Sequence, residues 1–243
     1  MELIVVGSEY AGKTTLVNQI VPWIDKTMGG GRGAHDHFVI PPAEMTLEDQ
    51  EYYMKAPPTI KESHQRYMME YHLHQSFYRD PDHLLVGFHI EEAVYAGMYY
   101  GYGGKGQYAE RSALARAIEV EVMERAPETI LVYLTTDAEV IRERMHQQPR
   151  PSGVVREEHQ EQGGINKRAT MLPRGILEEK DIEHALERFQ DEFDASLIRK
   201  KIALDTSSST PESTMAEFVE RYMPLMSDRD RTRLLTFRSV MTA

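Results

Sequence analysis

Eight residues close to the beginning of the chain, Gly7-Ser8-Glu9-Tyr10-Ala11-Gly12-Lys13-Thr14, satisfy the spacing Gly-x-x-x-x-Gly-Lys-[Ser/Thr] in full, and Thr15 follows. Each residue type in that pattern has work to do on phosphate. The glycines let the backbone curl until its N–H groups point inward, Lys13 supplies a full positive charge, and the Thr14 hydroxyl suits Mg²⁺. A chance match in a chain of 243 residues is on the order of 1%. Leu3-Ile4-Val5-Val6 before the loop reads as a buried strand and Leu16 to Ile20 after it as a helix, which is the context the motif requires. Gly7, Tyr10, Ala11, Gly12, Lys13, Thr14 and Thr15 are therefore expected to surround the phosphates of a nucleoside triphosphate.

Three further groups carry possible chemistry. Asp36, Glu91 and Glu92 are acids at the ends of predicted strands, able to take a proton from a hydroxyl or to organise Mg²⁺. Their roles stay open at this level: Glu91 could serve as a catalytic acid or, beside Thr14, as a metal organiser. Between His146 and Arg174 the helical period disappears and Arg150, Arg156, Lys167, Arg168 and Arg174 accumulate, flanked by glycine and proline. Cations on such a segment could close over a triphosphate. Finally, Tyr95, Tyr99, Tyr100, Tyr102 and Tyr108 alternate with glycines without any period, just past a predicted strand. Ligands of open α/β sheets bind at the carboxyl ends of strands, so this stretch is expected to be a substrate-facing loop, with Tyr95, Tyr99, Tyr102 and the following Arg111 on the acceptor.

The elements that must position these groups follow from apolar periodicity. Strands are expected at 3–6, 35–40, 84–90, 129–134 and 201–204, with Glu91-Glu92 closing the third. Helices are expected after the phosphate loop, over 60–78, over 109–125 with Leu114, Ala117, Ile118 and Val122 on one face, after Asp137, over 182–197, and over 211–222. His64, His72 and His74 fall on a partly exposed helix surface and not in a joint metal site, because positions two apart face different ways. Strands alternating with helices mean an α/β fold with a mainly parallel sheet of about five strands and helices on both faces. The C-terminal stretch from Ser227 reads as a short helix of undetermined docking.

Composition bounds the setting. With no cysteine the chain has no disulfide and no thiolate zinc site. A formal charge of −11 disfavours broad binding to nucleic acid. No run of about 18 apolar residues is present, so no membrane span is expected, and the immediate entry into a strand leaves no room for a signal peptide. A cytoplasmic enzyme is the expectation.

At this point the chain resembles the nucleoside monophosphate and deoxynucleoside kinase group, thymidylate kinase most of all. The resemblance rests on the Gly7–Thr15 loop, the acidic Glu91-Glu92, the run from Leu131 to Arg144 that holds Asp137-Ala138-Glu139 and ends in arginine, and Ile202-Ala203-Leu204-Asp205-Thr206-Ser207. It implies a three-layer P-loop kinase fold over 1–226 with an arginine-rich lid at about 146–175, followed by a tail at 227–243. It further implies ATP and Mg²⁺ as cofactors, and Asp205, Thr206 and Ser207 as an adenine-side turn. Arg144 would face the nucleotide, Arg150 and Arg156 would contact phosphate, and the acceptor would be a nucleoside or nucleotide. A homodimer is compatible with the group.

One departure stands out: no arginine follows Glu91-Glu92, where the group holds an acceptor phosphate. That leaves an acceptor without phosphate, or one held by Arg32, Lys105 or Arg111. Two other readings stay in view, a kinase of a modified nucleotide within nucleic acid and a non-catalytic ATP-binding regulatory module.

Overall fold

In the computed structural model, residues 1–30, 35–36, 45–73, 82–147 and 176–241 are described; at 35–36, 47, 238, 240 and 241 only the backbone is. The strands are β1 (Glu2–Gly7), β2 (His35–Asp36), β3 (His83–Val86), β4 (Ile130–Thr135) and β5 (Lys200–Asp205). They form one sheet in the order β2-β3-β1-β4-β5, every pair parallel. Four strands are substantial, and β2 adds only the two residues that pair with Leu85 and Val86. Parallel neighbours need helical crossovers, which cover both faces and make the strands apolar throughout.

The helices are α1 (Lys13–Met28), α2 (Leu47–Lys55), α3 (Pro58–His72), α4 (Phe88–Tyr95), α5 (Arg111–Arg125), α6 (Ala138–Gln147), α7 (Ile182–Ala195), α8 (Pro211–Leu225) and α9 (Asp228–Met241). Alternation along the strands splits the core in two. Leu3, Val5, Val132, Leu134, Ile202 and Leu204 point to one face and pack with Leu16, Ile20 and Ile24 of α1, Phe218 and Tyr222 of α8, and Leu234 of α9. Ile4, Val6, Leu131 and Tyr133 point to the other and meet Tyr95 of α4, Ile118 and Val122 of α5, and Phe189 and Phe193 of α7. Burying a side chain such as Phe189 contributes about 1.5–3 kcal/mol.

Several sequence expectations need correction. The third strand does not run to Ile90: β3 stops at Val86, and Gly87 (φ 82°) and Phe88 (φ 54°) turn the chain into α4. Glu91 and Glu92 consequently sit in the first turns of a helix, not at a strand end. The tyrosine–glycine stretch is not an open loop either, because α4 runs on into a π-helical turn, Ala96–Tyr100. Tyr95, Tyr100 and Tyr102 are fully buried, and Tyr108 is exposed. A Cβ on Gly97 would lie 2.9 Å from the Gly104 Cα, so glycine there lets 101–106 fold back over the turn. Leu197 is exposed beyond the end of α7 and Ile198 is buried in its place. On α5 the buried face uses Ala115 and Glu119, and Ala117 is exposed. Of the histidines, His72 is buried and its ring pairs with the Met68 carbonyl, His64 meets the Tyr53 hydroxyl at 2.9 Å, and His74 lies outside the described residues.

The C-terminal stretch is a full helix with a defined seat. Arg233 of α9 donates to Asp82 at 2.8 and 2.9 Å, to Asp230 at 3.1 Å and to the Gly30 carbonyl at 3.2 Å. The Met1 amino group also donates to Asp82 and Asp230, and Tyr222 of α8 donates to Asp230.

Candidate active site

The phosphate loop leaves β1 at the carboxyl edge of the sheet and enters α1. Gly7 has φ 149°, and a Cβ there would stand 2.7 Å from the Leu134 carbonyl oxygen of β4. Gly12 caps α1 with φ 94° and Tyr10 takes φ 63°, so the loop alternates hand as a phosphate-binding concavity does. Lys13 Nζ donates to the carbonyls of Gly7 (2.6 Å) and Ser8 (3.0 Å) and lies 2.8 Å from Glu91 Oε1. α4 thus brings a nearly buried carboxylate against the lysine of the loop, 78 residues away in sequence. Thr14 and Thr15 are exposed at the start of α1. The Asp36 side chain lies outside the described residues, although its backbone is in register with Val86 at the end of β3.

Glu92, one position along α4, points the other way into a buried ion-pair cluster. Its Oε1 accepts from the Tyr102 hydroxyl at 2.8 Å and from Arg111 Nε at 3.1 Å. Arg111 is 1% exposed, stacks 4.9 Å from the Tyr102 ring centroid, and reaches Glu62 of α3 at 3.0 Å, which also holds Arg66. Burial pushes the Glu92 carboxyl above the usual carboxylate range, and the Arg111 charge and the Tyr102 hydrogen bond pull it partly back. The fold thus supplies an arginine beside the acids, where the sequence has none adjacent. That arginine is neutralised by two carboxylates, so Arg111 and Tyr102 belong to the core and do not line an open acceptor loop. The Tyr95 hydroxyl accepts from the Glu9 backbone N–H at 3.0 Å, supporting the phosphate loop from below. Tyr99 is half-buried, donates to Asp181 at 3.1 Å and accepts from the Glu178 N–H at 3.2 Å.

On the other side of the loop, Arg144 of α6 binds three segments together. Nη1 donates to the Tyr10 carbonyl at 2.9 Å and Nη2 to the Thr206 carbonyl at 2.6 Å. Partial burial lowers its guanidinium pKa from the ordinary value. The Thr206 hydroxyl donates to the Ala11 carbonyl at 2.9 Å and meets the Thr136 hydroxyl at 2.5 Å. Asp205 accepts from the Ser207 N–H and hydroxyl, which hold its carboxyl below the usual range. Ser207 Oγ in turn accepts from the Asp137 N–H at 2.9 Å. The turn after β5 is thereby fixed against both β4 and the phosphate loop. Arg150 and Arg156 lie outside the described residues.

Two participants escaped the sequence reading. Glu62 carries no local signal, being an acid on a polar helix. Glu9 did carry one: an acid inside an anion cradle must turn its charge away from the anion and so needs donors elsewhere. Its carboxylate accepts from the N–H groups of Ile176 (3.1 and 3.2 Å) and Leu177 (3.2 Å).

As a donor set for Mg²⁺, the Thr14 hydroxyl and the Glu91 carboxylate are hard oxygens of the kind that ion takes. Among the described residues no group of three histidines or acids could form a protein-only metal cage. No helix among the described residues is long and apolar enough to cross a membrane.

No protein-family model matches the chain, and no curated protein does. Solved structures do. Deoxyadenosine kinase from M. mycoides with bound dATP superposes at a TM-score of 0.53 and 11% identity, over 91% of this chain and 99% of that one. The same enzyme with products dCMP and a flexible dCDP bound gives 0.52 and 11%, over 93% and 100%. At this identity the likeness establishes the fold: a three-layer α/β phosphate-loop fold shared with deoxyadenosine kinase along nearly the whole of both chains.

Proposed function

We propose that this protein is an ATP-dependent phosphotransferase acting on a small hydroxyl acceptor, a nucleoside in preference to a nucleoside monophosphate. The observation that carries the reading is the Lys13–Glu91 contact, which sets a buried acid against the phosphate loop at the carboxyl edge of the sheet. Phosphoryl transfer depends on positioning and on neutralising charge around the moving group. Lys13, at the start of α1 beside the loop carbonyls, supplies that charge. Thr14 and Glu91 would hold Mg²⁺, which would supply charge neutralisation at the phosphates when bound. Asp36, at the end of β2, is then the acid left to accept the proton of the attacking hydroxyl. Arg144 and the Asp205–Ser207 turn frame the adenine side.

The choice of a nucleoside rests on Arg111. The group that resembles this chain holds an acceptor phosphate with an arginine next to the acids, whereas here the buried arginine beside Glu92 is committed to Glu92 and Glu62. Thymidylate-kinase-like specificity is correspondingly less favoured than nucleoside specificity. A cytoplasmic setting, where ATP and nucleosides are available, fits this reading.

Transfer of label from [γ-³²P]ATP to a panel of nucleosides, monophosphates and oligonucleotides tests it. Label on nucleosides alone is the expected result. Label on oligonucleotides would favour a nucleic-acid kinase, and ATP binding without any labelled acceptor would mean a regulatory module.

A further inference from the structure

Glu9 occupies an x position of the phosphate loop, yet both ends of the residue are engaged away from the cradle. Its backbone N–H goes to the Tyr95 hydroxyl of α4 at 3.0 Å. Its carboxylate, in a residue only 8% exposed, takes the N–H groups of Ile176 and Leu177 in three contacts of 3.1–3.2 Å. Those two amides open the segment that leads through the 3-10 turn Glu179–Asp181 into α7. The same segment is tied to α4 a second time, by Tyr99 to Glu178 and Asp181. Ionised acceptors make the stronger hydrogen bonds, and a nearly buried carboxylate with backbone donors stays in one geometry.

The residues on either side of Glu9 are held by the cations around the loop. Lys13 bonds to the carbonyls of Gly7 and Ser8, the two residues immediately before Glu9. Tyr10, immediately after it, holds φ 63° and accepts from Arg144. A loop residue set between two such contacts and hydrogen-bonded to a second segment is placed to link the loop to that segment.

We propose that Glu9 is a positioning residue that couples occupancy of the phosphate loop to the placement of 176–181 and the start of α7. The proposal rests on the loop holding a nucleoside triphosphate. It predicts that MgATP slows amide hydrogen exchange at Ile176 and Leu177, and that the response requires the carboxylate.

The experiment measures residue-resolved exchange at these amides with and without MgATP in wild type, Glu9→Gln, Glu9→Asp and Tyr99→Phe, alongside calorimetric MgATP binding. In wild type we expect MgATP to slow exchange about tenfold or more. In Glu9→Gln the two amides exchange faster than in wild type even without nucleotide, and the MgATP response is lost while Kd changes less than about threefold. Glu9→Asp restores part of the response. Tyr99→Phe loosens Glu178 but keeps the response at Ile176 and Leu177, which serves as the separate test should the Glu9 variants not fold. Turnover, where an acceptor is found, should fall in kcat and not in KM for ATP.

Equal exchange in wild type and Glu9→Gln overturns the proposal, as does a wild type that binds MgATP without altering the two amides. Loss of the response in Tyr99→Phe would assign the coupling to Tyr99 and overturn it for Glu9. A wild type that binds MgATP with the expected response but phosphorylates no acceptor would sink the kinase reading alone. One that does not bind MgATP would sink both.

Discussion

Lys13 and Glu91 face each other at 2.8 Å, and their removal should have different signatures. Lys13→Ala is expected to abolish MgATP binding in calorimetry. Glu91→Gln should leave nucleotide affinity nearly intact, lower kcat by about a hundredfold and shift the Mg²⁺ dependence to higher concentration. Asp36→Asn should lower kcat by about 10²–10⁴-fold with the metal dependence unchanged, the behaviour of a lost base. Identical profiles for the two acid variants would remove the division of labour argued above. Arg111 offers a stability test at the same scale. Arg111→Met leaves Glu92 and Glu62 buried without their shared cation, a change that costs about 3–5 kcal/mol. Burial then raises the Glu92 carboxyl unopposed by that charge, so the folded state binds more protons than the unfolded one. Stability of the variant should therefore fall as pH rises above the usual carboxylate range, making the deficit in urea denaturation larger at pH 8 than at pH 5.

Among the elements, α4 with its π-helical continuation decides what the acidic pair can do. Successive helix positions face about 100° apart, so Glu91 meets the phosphate loop while Glu92 meets Tyr102 and Arg111. The close crossing at Gly97 and Gly103 fixes this arrangement. Gly103 has φ 88° and a Cβ there would lie 2.6 Å from the Arg111 Cγ. Gly103→Ala should cost about 2 kcal/mol or more in chemical denaturation through strain and overlap, and should release the Arg111–Glu92 pair. A variant as stable as wild type would mean that the turn has freedom this packing denies it. The acid pair and the glycine–tyrosine run were both visible in the sequence. Their geometry was not, because positive φ values at Gly87 and Phe88 turn the chain out of β3 early, and no local pattern marks Phe88 for a left-handed turn.

At the scale of the molecule, α9 closes the end of the sheet opposite the site. Arg233 bridges Asp82, just before β3, and Asp230, with Tyr222 of α8 on the same carboxylate. Arg233→Ala should destabilise by about 3 kcal/mol, since it leaves two buried acids with fewer cations. Burial raises the Asp230 carboxyl but the surrounding charges and hydrogen bonds win and hold it below its ordinary value. The Met1 amino group leads those charges, with Arg229 and the Tyr222 hydroxyl behind it. The contribution of Asp230 is present above its ordinary value and is lost as pH falls below about 4, so wild-type stability in urea denaturation should drop there. Trp23, edge-on to Tyr222 at 6.0 Å, is the one tryptophan and reports unfolding of this region by fluorescence.

The sequence by itself determined the phosphate loop, the alternation of strands and helices, and the acids and arginines available to the site. These are properties of local spacing: the glycine–lysine–threonine pattern needs only its own strand and helix, and apolar period dictates which face is buried. The tertiary structure decided everything that depends on distant residues meeting. It set Glu91 against Lys13, folded Tyr95, Tyr102 and Arg111 into the core, seated α9 on α1 and turned Glu9 toward Ile176 and Leu177. The reason is physical. A carboxylate or guanidinium excluded from water must find its counter-charge, and which partner lies within 3 Å is fixed by the crossings of helices over the sheet.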